Sequence, residues 1–219
     1  MGKQRIAVIG LGRFGATLAQ EAQANGVEVL AVDSNETKVN DIADSVGEAI
    51  IADCTDPKAI NAIDWQQFST VVVAIGSDIK NSMMTVIHLQ EAGVRTLWCK
   101  VQDKYHAALM SRLGVQKVIS PEEEMARRAG RTIHFPDMMQ QMLLGADQFV
   151  AEIQIINRMD RSAIASKLGR KHHQLLAIKR KTESSFTQTT ALPDCLYPGD
   201  RILVLSQSSA EASWLSFMS

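Results

Sequence analysis

From residue 5 to about residue 120, short β-branched runs alternate with longer amphipathic stretches, and no other feature of the chain narrows its fold so far. The runs Arg5–Ile9, Glu28–Val32, Ala49–Ala52, Thr70–Ile75, Thr96–Val101 and Lys117–Ile119 read as strands. Helical patterns separate most of them, at Gly15–Ala24, Lys38–Val46, Lys80–Ala92 and Lys104–Leu113, with a shorter one at Lys58–Ile63. Strand followed by helix, repeated this often, predicts a parallel sheet with helices on both faces. Val71-Val72-Val73-Ala74-Ile75 is apolar without alternation, as a strand covered on both sides must be. The predicted fold class is therefore α/β, a Rossmann-like doubly wound parallel sheet.

Past that region the pattern changes. Ser120-Pro121-Glu122-Glu123 carries a helix start, with an N-cap serine, a proline at the first helical position and a glutamate three residues after the cap. The helix is expected to run to about Ile133, and a second, connector helix is expected over 136–147, after Pro136 and ending at Gly145. From Gln148 onward, Phe149, Ala151, Ile153 and Ile155 alternate with their neighbours in a half-buried strand. Strands near Gln174–Lys181, Phe186–Thr190 and Arg201–Leu205, a helix at Ala163–Leu168 and a terminal helix after Ser209 complete a small α+β unit. The expected domains are 1–135, the connector 136–147, and 148–219. A unit of about 70 residues has a marginal core, so the last domain is expected to associate in pairs.

Ile6-Ala7-Val8-Ile9-Gly10-Leu11-Gly12-Arg13-Phe14-Gly15 is a strand running into a GxGxxG turn and a helix. In such a turn Gly10 permits the tight bend, Gly12 lets backbone approach a pyrophosphate, and Gly15 allows helix to pack on strand. Asp33 ends the second strand, 18 residues after Gly15. A carboxylate there accepts hydrogen bonds from ribose hydroxyls and repels a 2′-phosphate, which selects ATP, ADP or NAD over NADP. Asn35 is either a second ribose ligand or a plain helix N-cap. Asp53-Cys54-Thr55 closes the third strand, where it meets the adenine edge or merely forms a turn. Ala74-Ile75-Gly76 closes the fourth strand, at the crevice where open sheets bind ligands.

Composition sets limits on the rest. With 23 basic and 24 acidic residues, a formal net charge of -1, the chain has no overall field to hold a nucleic-acid backbone. Cys54, Cys99 and Cys195 lie far apart and form no disulfide framework or zinc motif, which suits a reducing cytoplasm. No apolar segment approaches the ~20 residues of a spanning helix. His88 sits in an apolar helical pattern, His106 and His134 stand alone, and the residues after the nucleotide fold are too few for a substrate domain. No enzyme is predicted; the alternative is an NAD(H)-binding redox sensor or NAD-dependent oxidoreductase.

Together the glycine turn, Leu30-Ala31-Val32-Asp33, Asp53-Cys54-Thr55, Val73-Ala74-Ile75-Gly76 and Gly114 to Glu122 resemble the RCK (KTN) domains that regulate potassium transport. Leu176 to Arg180 and Pro198 to Val204 are similar to the companion RCK C-terminal domain. The resemblance implies an octameric ring of dimers on the inner face of the cell membrane. There it would dock on a KtrB-type membrane potassium-translocating subunit and gate it in response to ATP or ADP. It also implies that Arg13 reaches the γ-phosphate bound by a neighbouring subunit, and that Glu122 takes part in a divalent or monovalent cation site. Glu122 equally suits the first turn of a helix, where the dipole favours a carboxylate. Cyclic di-AMP is a ligand of some C-terminal domains of this family. Between Arg158 and Lys181 eight basic residues face one acid, which suits either such an anion or a solvated basic face.

Overall fold

Six short strands, the central ones β1, β2 and β4 largely buried and the edge ones partly exposed, organise the first part of the chain. The computed structural model describes residues 4–76, 78–134, 138–144, 148–168 and 173–207. Strands β1 (Arg5–Ile9), β2 (Glu28–Asp33), β3 (Glu48–Ile51), β4 (Thr70–Val73), β5 (Leu97–Lys100) and β6 (Lys117–Ile119) form one sheet in the order β3-β2-β1-β4-β5-β6. Every pairing in it is parallel. Order reverses between β1 and β4, which makes their carboxyl ends the switch point of the sheet.

The two-residue period of the strands sorts their side chains into two cores. On one face Ala7, Ile9, Leu30, Val32, Val71, Val73, Leu97 and Cys99 meet Ile60 of α3 (Pro57–Asn61), Val86 and Leu89 of α4 (Ile79–Glu91) and Met110 of α5 (Lys104–Arg112). On the other, Val8, Val29, Ala31 and Val72 meet Ala19 of α1 (Arg13–Ala24) and Val39 and Ile42 of α2 (Glu36–Ala43). Aspartates and an asparagine start the later helices: Asn35, Asp56, Asp78 and Asp103 each accept a hydrogen bond from the first turn. Helix α6 (Pro121–His134) follows β6.

Contacts divide the chain into Met1–Glu124 and Met125–Ser219, a boundary inside α6 and earlier than residue 135. The second unit holds β7 (Met138–Leu143), β8 (Gln148–Gln154), β9 (Met159–Asp160), α7 (Arg161–Leu168), β10 (His173–Lys179), β11 (Thr187–Gln188), β12 (Cys195–Leu196) and β13 (Arg201–Gln207). Five of these strands make an antiparallel sheet in the order β11-β10-β13-β8-β7, and β12 pairs with β9. Phe149, Ala151, Ile153, Ile202 and Val204 point inward at alternate positions and bury Ile164 and Leu168 of α7.

The expected connector helix is a strand. Met138–Leu143 pairs antiparallel with β8, from Met138 opposite Ile153 to Leu143 opposite Phe149. Six helix-compatible residues are too few to pay for helix nucleation alone, whereas the edge of β8 supplies a ready row of hydrogen-bonding partners. The flanking residues 136, 137 and 145–147, and the expected terminal helix after Ser209, lie outside the described residues.

Candidate functional site

At the end of β1 the chain turns in the left-handed region, with Gly10 at φ 93°, and its N–H donates to the Val32 carbonyl at 2.8 Å. A side chain here would stand 3.0 Å from the backbone of Ala74 and Ile75, so the ends of β1 and β4 approach as closely as backbone permits. Gly15 is tighter still, since a Cβ would lie 1.9 Å from the Gly10 carbonyl oxygen. Gly12 behaves differently. It sits at the N-cap of α1 with ordinary φ −69°, and a Cβ there would meet nothing within 4 Å. No side chain caps α1 and no acid stands in its first turn. The first-turn N–H groups of this 12-residue helix thus have no side-chain cap and stand beside an unobstructed Gly12, the kind of helix start that suits an anion.

Asp33 is 8% exposed and is already engaged by the protein. Its Oδ2 accepts from the Leu11 N–H at 2.7 Å and from Lys38 Nζ at 3.3 Å, and its Oδ1 from the Asn35 N–H at 2.9 Å. The carboxylate thus braces the glycine turn from the neighbouring strand, and its remaining acceptor capacity is held in a fixed direction. Asn35 accepts from the Lys38 N–H, the N-cap arrangement. Asp53 accepts from both the N–H and the hydroxyl of Thr55, at 3.0 and 2.7 Å, and these bonds hold its carboxyl below the usual range. Cys54 turns inward. Its thiol is 3% exposed and is pushed up to about 12, first by burial and then by the charges of Asp53 and Asp33. Phe14 and Ala74 likewise pack into the core on the α1 side, so these three offer a ligand their backbone and not their side chains.

Three charges gather at the other end of the crevice. Lys100 ends β5, its side chain only 15% exposed, and its Nζ lies 2.9 Å from where a Gly76 Cβ would be. The same ammonium donates to Glu122 Oε1 at 2.7 Å. That hydrogen bond leads the effects that hold the Glu122 carboxyl below its ordinary range; the charges of Lys100 and Arg13 add to it. Arg13 itself is exposed. Gln102 donates through its side-chain amide to the Gly76 carbonyl, which fixes the loop after β4. Neither Lys100 nor Gln102 was among the expected site residues. The available signal was a lysine directly after the apolar run Leu97-Trp98-Cys99, on the same sheet edge as the glycine turn.

Among the described residues no three histidines, cysteines or acids come together to hold a metal. Glu122 stands with Glu123 and Glu124 in the first turn of α6 and carries a lysine counter-charge. The cation site expected at a subunit interface would draw Glu122 from more than one chain. No helix of the described residues is long and apolar enough to cross a membrane. On the second unit a cavity of about 290 Å³ is lined by Lys179, Arg180, Lys181 and Arg201, with Glu183 beside them.

Comparison with known proteins gives one consistent result. The TrkA-N domain matches residues 6–121, which spans the whole six-stranded sheet and the start of α6. Ktr system potassium uptake protein C of Bacillus subtilis is 36% identical over 72% of this chain and 71% of its own. Ktr system potassium uptake protein A of Vibrio alginolyticus is 34% identical over 72% of each. Among solved structures, the GsuK channel bound to NAD superposes with a TM-score of 0.64 at 13% identity, over all of this chain and 40% of the channel chain, which shows the shared fold. A match across the complete nucleotide fold, joined to relatives above 30% identity over most of both chains, shows that this chain belongs to the TrkA-N (RCK) domain family.

Proposed function

We propose that this chain is the regulatory subunit of a bacterial potassium uptake system, one that binds ATP or ADP on its first unit and gates a KtrB-type membrane subunit accordingly. The observation that carries the reading is the bare N-terminus of α1, opening through Gly12 onto free space beside an oriented Asp33. That arrangement takes a pyrophosphate at the helix and a ribose at the carboxylate. The Ktr relatives supply the process. Gly10, Gly12 and Gly15 shape the seat, Asp33 holds the ribose, and Thr55 and Gly76 border it through backbone. Arg13, exposed at the start of α1, is the group that meets a phosphate across a subunit boundary in an octameric ring of dimers.

Regulation of this kind needs differential binding. Contacts common to ATP and ADP shift no equilibrium, so the residues that meet a third phosphate must carry the response. No catalytic step is assigned to the chain, and attachment to the membrane is through its partner. The basic cavity of the second unit gives cyclic di-AMP, or another phosphate anion, a place to bind. A second reading, an NAD(H) sensor, draws on the same turn and the same Asp33. Native mass spectrometry of the purified protein separates the two by what is retained and at what ring size. ATP or ADP on an eight-membered assembly is the expected result; retention of NAD alone would favour the sensor, and no nucleotide at all would remove both.

A further inference from the structure

A ribose offers two hydroxyls, and the bonds Asp33 already accepts leave it room for one of them. Its Oδ2 takes the Leu11 N–H at 2.7 Å and Lys38 Nζ at 3.3 Å, and its Oδ1 takes the Asn35 N–H at 2.9 Å. A carboxylate has about four acceptor positions, so about one remains, on Oδ1. The second hydroxyl needs another partner, and Lys38 is in place for it. Its ammonium shares Oδ2 with the glycine turn, and its side chain is 46% exposed. At 3.3 Å its bond to Asp33 is longer than the about 2.7–2.9 Å of a tight charge-assisted one, and Asp33 is its only acceptor among the described residues. An ammonium carries three donors, so the rest of its capacity is unspent. Helix α2 does not account for a lysine here. Asn35 is the N-cap, so Lys38 stands in the first turn, where the helix dipole disfavours a cation. A partly exposed ion pair returns little on its own.

We propose that Lys38 is the second half of the ribose seat: Asp33 accepts from one hydroxyl of the sugar and the Lys38 ammonium donates to the other. The chain then selects ribonucleotides over deoxyribonucleotides through two separate groups, one an acceptor and one a donor. This rests on the nucleotide reading given above, and it holds equally for ATP, ADP and NAD, whose adenosine ends are the same.

ADP, the part those ligands share, is the probe. Titration calorimetry on the full chain compares ADP, 2′-deoxy-ADP and 3′-deoxy-ADP binding to the unaltered protein, Lys38→Met and Asp33→Asn. With the unaltered protein each deoxy analogue should bind about tenfold more weakly than ADP, since each loses a hydrogen bond to a charged group. Lys38→Met should weaken ADP by a similar factor of about ten and remove the penalty of one analogue, while Asp33→Asn should shrink the penalty of the other. A lysine that only steers Asp33 would leave a different mark: both variants would then reduce the penalty of the same analogue, and the proposal would be overturned. So it would be if Lys38→Met kept ADP affinity within about twofold, or weakened ADP and both analogues by one common factor. If the unaltered protein bound no ADP, the nucleotide reading would fall and this inference with it. Normal ADP binding with no cost for either deoxy analogue would remove the inference alone.

Discussion

Three glycines in one turn do three different jobs, and single substitutions can tell them apart. Gly12→Val adds a side chain where nothing lies within 4 Å and where φ is ordinary, so the fold should keep its melting temperature within a few degrees while nucleotide affinity is lost. Gly15→Ala drives a methyl into the Gly10 carbonyl and should cost on the order of 1–3 kcal/mol of stability before any ligand is added. Thermal melts of both variants, each with and without ATP, check the pair of outcomes. Asp33 is less clean a probe than its spacing implies. Replacing it by alanine also leaves the buried Leu11 N–H without an acceptor, at about 1–3 kcal/mol, and Asp33→Asn is the better variant. In the second unit Asp200 is 3% exposed and accepts from Arg180 at 2.7 Å and from the N–H groups of Tyr197 and Lys181 at 3.1 Å. Burial raises its carboxyl, but these partners outweigh burial and leave it below the ordinary value. Because the folded value is depressed, the carboxylate contributes stability above its unfolded value, about pH 4, and loses it as pH falls through the folded one. Asp200→Asn should therefore destabilise the second unit at pH 7 and converge with the unaltered protein as pH falls below about 4. Hydrogen exchange in β10 and β13 against pH measures this.

At the scale of elements, burial decides how legible the sequence is. The central strands β2 and β4 could be read because they are apolar on both faces, the edge strands β3 and β6 from their place in the strand–helix alternation, and β8 and β13 because one face of each is wet. The strand β7 could not. Met138-Met139-Gln140-Gln141-Met142-Leu143 has neither period, and its conformation is set by pairing with β8 and not by its own propensity. The two-residue strands β9 and β12 escaped for the same reason, since they exist only as partners of each other. The candidate site divides likewise. The glycine turn and Asp33 are local or one strand away, whereas Lys100 reaches Gly76 and Glu122 only through the side-by-side placement of β4, β5 and β6. The correction to β7 changes an experiment. A fragment beginning at residue 146 lacks β7 and uncovers the edge of β8, so it should aggregate. Residues 125–219 keep the five-stranded sheet and should sediment as a defined, folded species.

For the whole molecule, the division at residue 124 matters because each unit is continuous in sequence and, among the described residues, neither borrows a strand from the other. Residues 1–124 include the glycine turn, Asp33, Asp53, Gly76, Lys100 and Glu122. That fragment should fold alone and hold ADP within about threefold of the full chain, if contacts common to both nucleotides are made inside one subunit. Calorimetry on the fragment tests it, and a loss of ADP binding would mean that the seat needs the second unit or a second copy. The same continuity has a consequence in time. During synthesis at about 5–20 residues per second, residues 125–219 take roughly 5–20 s to follow the first unit out of the ribosome. Small domains typically fold within microseconds to seconds. On the function proposed above, the nucleotide seat is thus complete while the second unit is still being made, and a newborn subunit enters assembly already carrying its nucleotide.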